Sequence, residues 1–218
     1  MVKIEKYIHT RILPFEVTEK VASVQEFFID HPFSHFPITD NGVYLGCVVA
    51  EDVETFDADK SLGDYCYTLE GFYVRDNTNW LDILERFAQH QTDIMPVLNS
   101  DNRYLGYYQL SDIVQIFSDT SFLREPGGII VVEKPLMHYA ASEIAQIVES
   151  NGYKLLGMFI AEVNDKVQVY IKVNAENLNE ILQSFRRYEY EIVSEHAEDT
   201  YLKNLQERAN YLDKYLNI

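Results

Sequence analysis

Apolar residues recur on one face of residues 20–29, at Val21, Val24, Phe27 and Phe28, and on one face of 79–90, at Trp80, Ile83, Leu84 and Phe87. Spacings of three and four residues place each set on one helical stripe, so both segments are predicted to be helices lying on a sheet. Each is followed by a short apolar run containing a proline, Phe36-Pro37-Ile38 and Met95-Pro96-Val97. A residue without a backbone N–H suits the start of a strand. The polar turns that come next, Asp40-Asn41-Gly42 and Asn99-Ser100-Asp101-Asn102, tolerate left-handed backbone and close hairpins to Val43–Val49 and Tyr104–Gln109. A second helix starts after each hairpin, at Ala50 and at Leu110. The predicted unit is helix, strand, strand, helix, and it occurs twice.

The duplication extends to single residues. Pro37 returns as Pro96, 59 positions on, and Gly46 as Gly106, 60 positions on, the extra residue falling in the second turn. Glu26, Phe28 and His31 match Glu85, Phe87 and His90 at the same offset. His31 and His90 close equivalent helices, where a cation meets the negative end of the dipole. A repeated unit constrains architecture more firmly than local propensity does.

After Pro126-Gly127-Gly128 the periodicity restarts. Residues 128–133 read as a strand, 142–151 as a helix capped by Ser142 and ended by Gly152, 155–163 and 167–173 as strands around an Asn164-Asp165 hairpin, 177–187 as an amphipathic helix, and 191–195 as a strand. That order is βαββαβ. A final helix over 199–217 carries Leu202, Leu205, Ala209, Leu212 and Leu216 on one seam. The seam is too short to stand alone, so it packs on its own chain or on a neighbour's copy. The expected domains are 1–60 and 61–122, a linker at 123–127, a third domain at 128–197, and the helix from 198 to 218.

Composition then removes function classes. No run of about 18 apolar residues could span a bilayer, and the first residues lack the apolar stretch of a secretory signal, so a cytoplasmic protein is expected. Net charge is −17, and residues 1–120 hold 8 Lys and Arg against 20 Asp and Glu. Such a field repels phosphate backbones, and neither nucleic acid nor membrane is an expected partner. Cys47 and Cys66 lack the neighbours of a zinc site or a disulfide framework. Glu51, Asp52, Glu54, Asp57 and Asp59 read either as oxygen ligands for a divalent cation or as a solvated helix end. No phosphate loop, nucleophile elbow or paired-His helix occurs.

The first 120 residues resemble a tandem pair of CBS domains: proline in the first strand, glycine in the second, aspartate opening the last helix, twice over. The resemblance implies an α/β (α+β) fold with two clefts that take AMP, adenosine or S-adenosylmethionine as a regulatory ligand. It puts ribose-binding carboxylates at Asp112 and Asp52; a carboxylate there serves equally as a helix cap. Val49 stands where nucleotide-binding members carry a hydroxyl and Gln109 stands at its counterpart, so the cleft of Gln109, Asp112, Pro96 and Val97 is the better candidate and that of Asp52 and Ile38 the poorer. Arg11, Arg75 and Arg103 are the cations within its reach for a phosphate. Residues 128–197 resemble an ACT domain, a ferredoxin-like βαββαβ fold whose amino-acid site lies at the loop corresponding to 133–138; here Leu136 replaces the glycine that admits a ligand. The whole resembles the acetoin-utilisation type of stand-alone regulatory protein. Its implied function is a non-catalytic, homo-oligomeric sensor, a homodimer or larger, acting on an unnamed protein partner. A ligand-free assembly module with clefts plugged by Val49, Tyr107 or Tyr108 is the alternative, and an enzyme of unrecognised type the second alternative.

Overall fold

The computed structural model describes residues 4–175, 177–196, 199, 204, 205 and 207–211. The chain forms two compact units, Met1–Phe117 and Ser118–Ile218. In the first unit a 3-10 turn at Ile4–Tyr7 leads to β1 (Phe15–Glu16), α1 (Val21–Asp30), β2 (His35–Asp40), β3 (Val43–Val49) and the short α2 (Ala50–Val53). A second 3-10 segment, Leu62–Thr68, opens with a reciprocal Ser61–Asp64 capping box. The pattern then repeats as β4 (Val74–Arg75), α3 (Trp80–His90), β5 (Ile94–Leu98), β6 (Tyr104–Gln109) and α4 (Leu110–Ser118). Each copy is a three-stranded sheet, β1-β2-β3 or β4-β5-β6, with one parallel and one antiparallel pairing.

Local chemistry accounts for the boundaries. Asn79 accepts a hydrogen bond from the Leu81 N–H and so caps α3. Asn41 and Gly42 both adopt positive φ, 51° and 78°, which matches the two-residue hairpin with the right-handed twist of its strands. The helical stripes face inward as their spacing requires: Val21 and Val24 are fully buried with Phe36 and Ile38, and Ile83 and Phe87 with Met95 and Val97. The copies also meet directly. Tyr44 N donates to Asn102 O at 3.2 Å and Tyr104 N to Gly42 O at 3.1 Å, which joins the two hairpins.

The second unit includes α5 (Ser121–Arg124), a helical turn that straddles the start of the linker expected over 123–127. It continues with β7 (Gly128–Pro135), α6 (Ala141–Ser150), β8 (Leu155–Val163), β9 (Lys166–Val173), α7 (Asn179–Arg187) and β10 (Glu191–Ile192). The sheet order is β10-β7-β9-β8, antiparallel throughout, the arrangement of a ferredoxin-like βαββαβ fold. Val167, Val169, Ile171 and Val173 alternate inward along β9 and meet Ile144 and Ile147 of α6 and Leu182 and Phe185 of α7. Two local expectations change. Ser142 lies inside α6 rather than at its cap, since the preceding residue is Ala140 and its side chain makes no capping bond. The last strand spans only two residues, and the seam expected over 199–217 lies largely outside the described residues. No helix among the described residues is long and apolar enough to cross a membrane.

Candidate functional site

Asp112 sits in the first turn of α4, directly after β6, so its carboxylate projects beside the end of that strand. Its Oδ2 lies 2.7 Å from His9 Nε2. The two side chains are 25% and 36% exposed, so the pair is within reach of solvent. His9 comes from the segment before β1. His9 N donates to Tyr107 O at 2.8 Å and Tyr107 N donates to His9 O at 3.1 Å, which lays this segment against β6. The imidazole stacks on the Tyr107 ring at 5.4 Å and 23°. Gly106 makes the approach possible, because a Cβ there would lie 2.5 Å from His9 O and 2.5 Å from Ile8 Cγ2.

Tyr107 fills the floor. It is 2% exposed, and burial raises its pKa, while a hydrogen bond with the Gln109 side chain acts in the opposite sense. Gln109 is thus held by Tyr107, and Asp112 by His9. Pro96 and Val97 lie in β5 opposite Tyr107 and Gly106, and both are buried in the sheet. Arg11 is exposed two residues after His9, whereas Arg75 is engaged by Asn99 O and Asn102 Oδ1 and lies over the Tyr73 ring.

The first copy repeats the backbone arrangement with different side chains. Cys47 N donates to Glu70 O at 2.8 Å and Glu70 N to Cys47 O at 2.9 Å, the counterpart of the His9–Tyr107 pairing. A Cβ on Gly46 would lie 2.9 Å from Leu69 Cβ and 3.1 Å from Glu70 O. Here an acidic residue occupies the place that His9 takes in the other cleft. Glu70 Oε2 pairs with His35 Nε2 at 3.3 Å instead of meeting Asp52, which is exposed in the first turn of α2. Ile38 is fully buried opposite Gly46, and Cys47, also buried, has its thiol pKa pushed up to about 12 by desolvation. His35 Nδ1 is 2.8 Å from Ser34 Oγ, which donates to Asp93 Oδ1 at 2.7 Å, so Ser34 and its repeat-equivalent Asp93 join the copies.

Residues 68–119 match the family model of the CBS domain. That span holds α3, β5, β6 and Asp112, and 35–53 repeats the strand, strand and helix, so the first unit has the architecture of a tandem pair of CBS repeats. No curated protein matches the chain. Among solved structures it is similar to a CBS domain pair/ACT domain protein from Thermotoga maritima, 22% identical over 53% of this chain and 96% of that one, with a TM-score of 0.48. It is also similar to the CBS domains of a transcriptional regulator from Streptococcus pneumoniae, 18% identical over 53% and 98%, TM-score 0.47. CBSX2, solved in complex with AMP, is 18% identical over 54% and 96%, TM-score 0.45.

Within the CBS pair, the structure gathers Asp112 and Gln109 around Tyr107, buries Pro96, Val97 and Ile38, and leaves Asp52 at the surface. His9 is the member that the sequence did not reveal. It lies outside the duplicated motifs, and only the bridge from Tyr107 to the segment 98 residues upstream, admitted by Gly106, brings it in. Among the described residues no group of three His, Cys, Asp or Glu side chains is placed to hold a metal ion, the cluster from Glu51 to Asp59 included. In the second unit, Glu133, expected to open a loop over 133–138, lies within β7 and is committed to Lys166 Nζ at 3.2 Å and Gln168 Nε2 at 3.0 Å.

Proposed function

We propose that the chain is a non-catalytic regulatory module that takes one adenosine-type ligand, such as AMP or adenosine, at the Asp112 cleft. The ligand's ribose diol competes with His9 for the carboxylate, and ligand occupancy alters how the module assembles with further copies and with a protein partner. The observation that carries this reading is the His9–Asp112 contact at 2.7 Å, made by side chains that remain partly exposed. An exposed pair of this kind contributes at most about 1 kcal/mol, so a diol offering two hydrogen bonds to the carboxylate can replace it at modest cost. A ligand that prefers the His9-released state shifts the population toward it, which is the physical content of sensing here. One exposed arginine beside His9 suits a monophosphate better than a triphosphate.

The second reading, a ligand-free assembly module, is favoured by the burial of Tyr107 and its bond to Gln109. Thermal unfolding with AMP, adenosine, ATP and S-adenosylmethionine separates the two. The proposal expects AMP or adenosine to raise the midpoint in the native chain and not in Asp112→Asn; no stabilisation by any of the four at about 100 times a micromolar dissociation constant rules it out. In the second unit, with Glu133 committed within the sheet and Leu136 in place of glycine, we read an ACT-like structural role, the pairing of sheets between copies, rather than amino-acid binding.

A further inference from the structure

The exposed side of α3 borders a cavity of about 700 Å³, closed on its other side by the segment that leads through β4. Its lining includes Tyr73, Arg75, Asp82, Glu85, Arg86 and His90. Residues 1–120 hold 8 Lys and Arg in all, and two of them stand here with two carboxylates, so this wall is charge-balanced within a strongly acidic half. The charges are not spent on one another. Arg86 makes one long bond, 3.4 Å to Gln89 Oε1, and no ion pair among the described residues, although Asp82 precedes it by one helical turn, a spacing at which such pairs form. Glu85 accepts from Gln89 Nε2 at 2.8 Å and likewise meets no cation among the described residues. Arg75 is held in place by bonds to Asn99 O and Asn102 Oδ1 and lies 4.9 Å over the Tyr73 ring, with further N–H groups of its fork left to donate. The first copy puts an aromatic ring and an acid at the same places: Arg86 corresponds to Phe27 and Arg75 to Glu16, both at the repeat offset of 59. Phe27 stacks on His31 at 4.4 Å and 15°, and Glu16 accepts from Thr39 Oγ1 and Asn41 N. In the second copy His90, the counterpart of His31, stacks instead on Phe72 at 4.8 Å and 22°, and the neighbouring position carries the guanidinium.

We propose that this cavity binds a free α-amino acid with an apolar side chain, its carboxylate taken by Arg86 and Arg75, its ammonium by Asp82 and Glu85, and its side chain laid against the Tyr73 ring. A simple anion entering here meets two carboxylates, and a simple cation meets two guanidinium groups. A ligand that carries both charges satisfies both pairs and leaves neither as a repulsion. The guanidinium fork matches a carboxylate, and the three N–H donors of an ammonium match the oxygens of Asp82 and Glu85. Asp82 and Arg86, one turn apart on a single helix, suit the short separation of the two charges in an α-amino acid. The volume lies within the range of small-molecule sites. Charges as exposed as these are weakened by solvent, which puts the expected dissociation constant near about 1 mM.

Titration of the isotope-labelled chain with L-phenylalanine, followed by the amide resonances of α3 and β4, is expected to give saturable shifts. Two analogues divide the ligand's charges: 3-phenylpropionate lacks the ammonium and 2-phenylethylamine lacks the carboxylate. Each is expected to bind at least about tenfold more weakly than L-phenylalanine at matched ionic strength. Arg86→Phe, which restores the residue type of the first copy, is expected to abolish the response, and Arg86→Gln to weaken it at least about tenfold. Arg86 is exposed, so both variants are expected to keep the native unfolding midpoint, and the AMP response at Asp112 is expected to be unchanged in both, which keeps the two sites separable. The proposal is overturned if the native chain shows no saturable shift up to about 10 mM. It is equally overturned if either analogue binds as tightly as L-phenylalanine, or if Arg86→Gln responds like the native chain, the result of an amino acid seated on the second unit instead.

Discussion

The two clefts of the CBS pair share a backbone and differ in charge. In each, a glycine in the second hairpin strand admits a passing segment, which pairs through both N–H and C=O with the residue after that glycine. In the second copy that segment delivers His9 to Asp112. In the first it delivers Glu70, which pairs with His35 and leaves Asp52 exposed with no ion pair among the described residues. The floors differ as well, Tyr107 against Cys47. Duplication has thus preserved the backbone of both clefts, while of their two carboxylates Asp112 alone has an ion-pair partner among the described residues. A shared fold does not carry the same side-chain chemistry even between halves of one molecule.

The glycines offer the strongest way to break this comparison. A methyl group on Gly106 cannot fit without moving His9 and Ile8, so Gly106→Ala is expected to cost about 3 kcal/mol in urea denaturation, seen as a lower midpoint at unchanged slope. Gly46→Ala, where a Cβ would lie 2.9 Å from Leu69 Cβ and 3.1 Å from Glu70 O and so meets looser contacts, is expected to cost about half as much. Equal costs would show that the two passing segments are held alike. Next in size is Glu70→Ala. Removing the partner of the buried His35 is expected to lower stability by about 1 kcal/mol and to leave the ligand response of the other cleft intact.

Smaller in energy but direct in reading is the contrast between Tyr107 and Cys47. With its pKa raised to about 12, the Cys47 thiol stays protonated at neutral pH, and burial shields it from reagents. Thiol labelling of the folded chain is therefore expected to modify the exposed Cys66 promptly and Cys47 only on unfolding. Prompt modification of both would mean that the first cleft opens in the native state.

The repeat made the strands and hairpins legible in advance: Val43–Val49 and Tyr104–Gln109 have the bounds their spacing indicates, and the turns use Asn41, Gly42 and Asn102 at positive φ. Motif residues were legible for the same reason, Asp112 and Gln109 among them. What escaped was everything set by contact across long sequence distance. β1 and β4 are two residues each, too short to carry a period, and exist because β2 and β5 supply their partners. His9 and Glu70 have no motif of their own and are equivalent only through Tyr107 and Cys47. Ser142 has the side chain of a cap, yet α6 starts one residue earlier, which places its hydroxyl within the helix.

Calorimetric titration of AMP into the native chain, Asp112→Asn and Asp52→Asn tests the central claim most directly. One site per chain is expected, retained in Asp52→Asn and weakened at least about tenfold in Asp112→Asn. Two equivalent sites, or binding lost with Asp52 and kept without Asp112, would contradict the inequality of the clefts.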